Sequence, residues 1–209
     1  MADGDWAAVW LSLRVTSLAT VVALPLAFVV AIVLARGRFF GRALLDALVH
    51  LPLVLPPVAT GFALLLLFGR QGAIGAALAK VGIVFAFDWT GAALAAAVMA
   101  FPLMVRPIRL SLDSVDRNLE QAAATLGAGP FRIFATVTLP LAFPGVFAGL
   151  ILGFAKAIGE FGATITFVAN IPGETQTLAT AIYNTTQDPA GGAGTWRLTA
   201  IAIAIAVIE

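Results

Sequence analysis

The sequence predicts an all-α fold, a polytopic membrane helix bundle with about five crossings in one domain over 1–209. Three observations predict it. Of the 209 residues, 61% are hydrophobic and only 11% charged, and the mean hydropathy is +1.02, a balance that places the chain among polytopic membrane proteins. The apolar residues also fall into long runs separated by short polar segments, the pattern of successive spans. Finally, the basic residues flank those runs and concentrate on alternate connections, as the positive-inside rule requires.

Composition also excludes several classes. With no cysteine there is no disulfide framework and no thiolate metal site. The net charge of +1 carries no information, but its distribution does: no basic stripe of the kind that binds nucleic acid occurs. The sequence contains no G-x-x-x-x-G-K-[S/T] phosphate loop, no H-E-x-x-H and no nucleophile elbow. Enzymatic function, a metal and a bound cofactor are therefore not expected, and any energy source must sit on a partner.

Taken in order, the N-terminus carries Asp3 and Asp5 and no Lys or Arg before Arg14, unlike the basic start of a secretory signal peptide. Leu18 to Ala35 is an apolar run that, with the amphipathic turn before it, makes a first spanning helix. Pro25 inside it is tolerable in a membrane bundle. Arg36, Arg38 and Arg42 follow at once. Acid before and arginines after predict an outside N-terminus and a cytoplasmic first loop.

A second span is expected over about Ala43 to Phe68, interrupted by Pro52, Pro56, Pro57 and Gly61. So many breakers imply a bent or unwound helix, which survives at membrane depth only where protein or a cavity shelters it. The same breakers also fit a packing kink. His50 reads as a hydrogen-bonded interior histidine. Gly72 to Phe87 is short and punctuated by Gly75, Lys80 and Gly82, so it is expected to lie at the interface or re-enter rather than cross. A sixth span would need this segment to cross and would leave an arginine cluster on the wrong face. Asp88 and Trp89 mark the interface before a third span, Thr90 to Val105, closed by Arg106 and Arg109.

Between the third and fourth spans lies a long stretch of mixed polar character, about 111–143. A polar segment of this length cannot sit in lipid and must lie in water. Val115, Leu119, Ala122, Ala123 and Leu126 recur at helical spacing, Ser111 or Asp113 is a plausible N-cap, and Gly127 sits where a helix stop is expected. Pro130 is well placed as the first residue of a second helix. Helix, glycine turn, helix between two membrane spans reads as a docking element rather than a connector.

The fourth span, Gly145 to about Val168, carries Gly145, Gly149 and Gly153 every four residues, a small-residue face for close helix contact. Lys156 and Glu160 fall within the same arc and lie four apart, within reach of each other. Charges at this depth face a bundle interior or a watery cavity. They fit either an ion pair that fixes packing or, with Thr164 and Thr166, one wall of an anion path. Asn170 to Trp196 is a polar external loop in which Thr175 to Tyr183 can form a small helix, and Gly191 to Gly194 reads as flexible. Arg197 opens a last apolar run of about a dozen residues, too short at ~1.5 Å per residue to cross a ~30 Å core, so this helix is expected to be cut short.

The segment around Gln121 resembles the cytoplasmic signature loop of ABC-importer permeases: Glu-Ala-Ala, three residues, Gly, nine residues, Ile, any residue, Leu-Pro. Here it reads Gln121-Ala122-Ala123, Gly127, Val137, Leu139 and Pro140. Gln121 stands where the pattern has Glu, with Glu120 adjacent, and Val137 stands for Ile. The resemblance extends over nearly the whole chain to the molybdate and sulfate branch of that family. It runs through His50-Leu51-Pro52-Leu53-Val54-Leu55-Pro56-Pro57, Phe68-Gly69-Arg70, Ala97 to Arg106, Gly159 to Phe167, and Asn170-Ile171-Pro172-Gly173-Glu174-Thr175.

That resemblance implies the fold of a type I ABC-importer permease in a bacterial or archaeal plasma (inner) membrane. It also implies a second copy of the chain as homodimer partner, two copies of a cytoplasmic ATP-binding subunit, and an extracytoplasmic oxyanion-binding protein that delivers molybdate. Glu120, Gln121, Ala122, Ala123, Leu126, Gly127 and Pro140 would then form the ATPase-coupling loop. A translocation path is expected along Pro56 and Pro57 and the face with Lys156, Glu160, Thr164 and Thr166. Sulfate or tungstate permeases are the neighbouring alternatives. A secondary transporter would need inverted repeats, and none is found.

Overall fold

The computed structural model describes residues 3–188 and 192–208. Among the described residues the regular structure is entirely helical. Helix α1 spans Asp3–Arg36 and is followed by α2 (Arg42–Val54), α3 (Pro57–Phe68) and the short α4 (Gly75–Ala79). Then come α5 (Trp89–Ser114), α6 (Arg117–Thr125) and α7 (Pro130–Ile133), which runs through a π-helical turn, Phe134–Thr138, into α8 (Leu139–Ile158). Helices α9 (Gly162–Val168), α10 (Leu178–Gln187) and α11 (Gly192–Ile208) complete the described chain.

Helix α5 is the centre of the bundle, and small residues put it there. Its buried positions include Ala92, Ala93, Ala95, Ala96 and Ala100, and they share one core with Ala19, Ala23, Ala27 and Ala31 of α1. Without a hydrophobic gradient in lipid, close approach of backbones is what helix association rests on, and alanine at every fourth position permits it. On its other side α5 meets the glycine face of α8. A Cβ added at Gly145 would lie 2.3 Å from Ser111 Cβ, one at Gly149 2.9 Å from the Met104 carbonyl oxygen, and one at Gly153 2.1 Å from Met104 Cε. The glycine face expected from its spacing is therefore the α5 contact.

The two ends of the bundle are chemically distinct. At one end α1 finishes at Arg36, whose guanidinium reaches the Leu112 carbonyl near the end of α5. At the other, Arg14 lies over the Trp89 ring at 3.8 Å, a cation–π contact. There Asp5 pairs with Arg197 at 3.0 Å, and the Leu178 amide at the start of α10 donates to Ser12 Oγ at 2.6 Å.

Gly4–Arg36, Trp89–Ser114 and Pro130–Ile158 are each long and apolar enough to cross a membrane. α2 and α3 pass that test only together and meet at a bend of 116°. The cause is local. Pro56 and Pro57 remove two successive amide donors, and Leu55 is extended with ψ of 143°, the conformation that a following proline favours. With the broken pair counted as one, the described residues hold up to four helical elements long and apolar enough to cross, one fewer than the expected five, and α11 is a shorter apolar helix.

Several boundaries differ from the sequence expectation. The third run does not stop at Val105: α5 continues through Arg106 and Arg109 to Ser114. Residues 111 and 113 therefore lie inside a helix, and the N-cap of α6 is Asp116, whose carboxylate accepts from the Asn118 amide at 2.8 Å. The fourth run starts earlier, inside the helix that begins at Pro130, and breaks at Gly159–Phe161 before α9. Residues 72–87 hold only the five-residue α4. Helix α11 opens at Gly192, ahead of Arg197, so Gly192 and Gly194 are helical, whereas Gly191 lies outside the described residues.

Candidate functional site

Two places gather the polar side chains, one at each end of the bundle. The first is the segment from α6 to α8. Asp116 caps α6, Gly127 ends it with φ of +82°, and Pro130 occupies the first turn of α7. The left-handed backbone at Gly127 is one that L side chains adopt only with strain, so this position needs glycine although the space around it is open.

No residue of α6 is buried. Gln121, Ala122 and Leu126 face outward, and Leu126 and Phe131 are 88% and 83% exposed. Ala123 is half-buried, and Pro140 sits in the first turn of α8.

Glu120, one residue before Gln121, points the other way. Its carboxylate accepts from Arg36 through Nη2 to Oε1 at 2.8 Å and Nη1 to Oε2 at 3.1 Å. Thr138 Oγ1, at the end of the π-helical turn, donates to the same Oε1 at 2.6 Å. Beside these groups lies an open recess of about 320 Å³ lined by Ile32, Leu112, Pro130, Ile133 and Phe134. A second set of charges ties α2 to α5: Arg109 donates to Asp46 at 2.7 Å and lies 3.7 Å from Asp113. His50 Nδ1–H donates to the Asp46 carbonyl at 2.8 Å, which gives that histidine a structural partner.

The second place is where two broken helices meet. The first turns of α3 and α9 press backbone against backbone: a Cβ at Gly61 would lie 2.5 Å from the Ala163 carbonyl oxygen, and one at Gly162 2.7 Å from Pro57 Cβ. The chain thus brings Pro56 and Pro57 to the same place as the Gly159–Gly162 break.

Glu160 sits in that break, 2% exposed. Oε1 accepts from the Ala163 amide at 3.0 Å, anchoring the first turn of α9, and Oε2 pairs with Lys156. Both carboxylate oxygens are thereby committed, as a charge at this depth requires. The Lys156 side chain is 28% exposed. The Thr166 hydroxyl donates to the Gly162 carbonyl at 2.9 Å.

Thr164 is buried instead in a crevice with Ser12, Thr16, Ala96, Glu160 and Thr177 that is too tight to admit water. Ala96 is seven residues along α5 from Trp89, so the ion pair lies roughly 10 Å inside that end of the bundle. Sequence reasoning missed Arg36, Asp46, Thr138 and Thr16. The signal for Thr16 was available: Ser12, Thr16 and Thr20 repeat every four residues on α1 and are all buried. Among the described residues no group of three or more His, Cys, Asp or Glu could hold a metal ion.

Comparison with known proteins adds four findings. Residues 23–208 match the family described as "Binding-protein-dependent transport system inner membrane component". Over 210 residues the chain is 57% identical to the "Molybdenum transport system permease protein ModB" of Escherichia coli (strain K12), covering 100% of this chain and 92% of that protein. It is 54% identical over 203 residues to the protein of the same name in Haemophilus influenzae, covering 97% and 89% respectively. Among solved structures, the crystal structure of "a bacterial ABC transporter involved in the import of the acidic polysaccharide alginate" includes a chain that superposes with a TM-score of 0.75 at 17% identity. The match covers 100% of this chain and 76% of that one, a likeness of fold.

Proposed function

Because the chain belongs to the family of binding-protein-dependent transport system inner membrane components, we propose that it is the membrane-spanning permease subunit of an ATP-driven molybdate importer. The identities of 57% and 54% to two proteins named as molybdenum transport permeases support the anion. The observation that carries the mechanism is the α6–Gly127–α7 segment, which presents Leu119, Leu126 and Phe131 to solvent at the arginine-rich end. Apolar side chains displayed on a polar segment outside the membrane core mark a protein interface. The partner is a cytoplasmic ATP-binding subunit, one for each of two permease copies, and the N-terminus then lies outside. An extracytoplasmic oxyanion-binding protein delivers the substrate.

The path for the anion runs along the broken helices, past Pro56 and Pro57 and the partly exposed Lys156. Glu160 holds that lysine in place and Thr166 belongs to the same wall, whereas Thr164, sealed in a crevice that admits no water, packs behind it. A lysine with its charge already half-satisfied attracts a dianion without retaining it, as conduction requires. ATP hydrolysis by the permease reconstituted with its ATPase and binding protein, measured with molybdate, tungstate and sulfate in turn, tests the assignment. Stimulation by molybdate is expected. Stimulation by sulfate alone would reassign the substrate, and none with any of the anions would overturn the importer reading.

A further inference from the structure

Helix α6 has nine residues and no buried side chain, so neither its length nor a core contact can hold it rigidly against the membrane helices. A motor that pushes on such a helix would bend it aside unless something else fastens it. That fastening is Glu120. Its carboxylate holds Arg36 at the last residue of α1, 84 positions away, through two hydrogen bonds, and Thr138 at the mouth of α8 through a third. Arg36 in turn reaches the α5 carbonyl at Leu112. Paired, charge-assisted bonds of this kind fix direction as well as distance, and both side chains are about three-quarters covered, which limits screening by salt.

Thr138 also closes the π-helical turn, a feature that lets a helix shift register locally. Gln121, at the position where the signature has its Glu, faces outward, so the inward carboxylate at 120 is a separate device.

We propose that Glu120 is a positioning residue that clasps the coupling segment to the ends of α1 and α8, so that a displacement of α6 becomes a joint displacement of both. The proposal rests on the reading of α6 as the ATPase-docking helix. It is tested in the complete complex in proteoliposomes, by measuring molybdate uptake and ATP hydrolysis on the same preparation. In E120A the ATPase still co-purifies and still hydrolyses ATP, while anion taken up per ATP falls about tenfold, within the range of site-to-site coupling.

The chain has no cysteine, so R36C/E120C provides a second variant: it is uncoupled as made and regains uptake per ATP when a short bifunctional thiol reagent bridges the pair. An unchanged ratio in E120A overturns the clasp, as does a loss of uptake and hydrolysis in equal proportion, or failure of the bridge to restore coupling. Loss of co-purification in E120A would make Glu120 a docking residue and overturn the clasp as well. A wild-type complex without anion-stimulated hydrolysis would instead defeat the underlying importer reading.

Discussion

Replacing Gly61 with alanine probes the meeting of the two broken helices directly. The added Cβ would stand 2.5 Å from the Ala163 carbonyl oxygen, 2.8 Å from its Cα and 3.0 Å from its carbonyl carbon. Carbon and oxygen tolerate about 3.3 Å at closest, so α3 and α9 must part by roughly 0.8 Å. All three contacts are backbone, so no rotamer change relieves them. A gap of that size forfeits about a quarter to a half of the dispersion energy of the facing atoms, and overpacking of this kind costs about 1–3 kcal/mol.

Thermal unfolding of the purified complex reads the stability and proteoliposome uptake reads the path. Gly61→Ala should lower Tm and reduce uptake. Gly4→Ala, whose Cβ meets nothing within 4 Å, should leave both unchanged. Equal Tm and equal uptake for Gly61→Ala and wild type would refute the backbone-to-backbone packing and the account of the path built on it.

Other substitutions address single side chains. Gly127→Val forces a β-branched residue to φ of +82°, at about 1–3 kcal/mol of local strain; co-purification of the ATPase should fall, and an intact complex with full uptake would remove the docking assignment. Lys156→Met drops the charge and leaves the buried Glu160 carboxylate without its cation, so both uptake and the yield of folded permease should fall, and unchanged uptake with normal assembly counts against the anion path. Glu160→Ala leaves the Lys156 charge unpaired inside the bundle and frees the Ala163 amide, a loss of about 3–5 kcal/mol by analogy with broken buried pairs. It should cut the yield of folded permease, as size-exclusion profiles would record, because the first turn of α9 loses its anchor along with the ion pair.

The elements that could be read in advance were those specified by local pattern. Apolar runs located α1, α5 and α8, the four-residue spacing of Gly145, Gly149 and Gly153 announced a face that meets α5, and Pro56–Pro57 announced a break. Gly127 and Pro130 marked the turn and restart between α6 and α7 because their backbone constraints are intrinsic to the residue type.

What local pattern could not supply was the partner of a charge. Arg109 looked like a flank of the third span, yet Asp46 and Asp113 hold it inside a continuing helix, which moved the cap of α6 to Asp116. Arg36 and Glu120 lie 84 residues apart, and nothing in either neighbourhood announces the other. The break at Gly159–Phe161 was hidden because Lys156 and Glu160 keep helical spacing across it.

Helix α1 has one further consequence. Its 34 residues make a rod about 50 Å long at ~1.5 Å per residue, well beyond the ~30 Å hydrocarbon layer. One tip is pinned by Glu120 and the other by Ser12 and Asp5 to α10 and α11. In a rod of that length a tilt about its middle, near Thr20, would carry Arg36 and the exposed Trp6 and Trp10 in opposite directions. Contacts at the two tips of α1 are therefore joined by one unbroken helix.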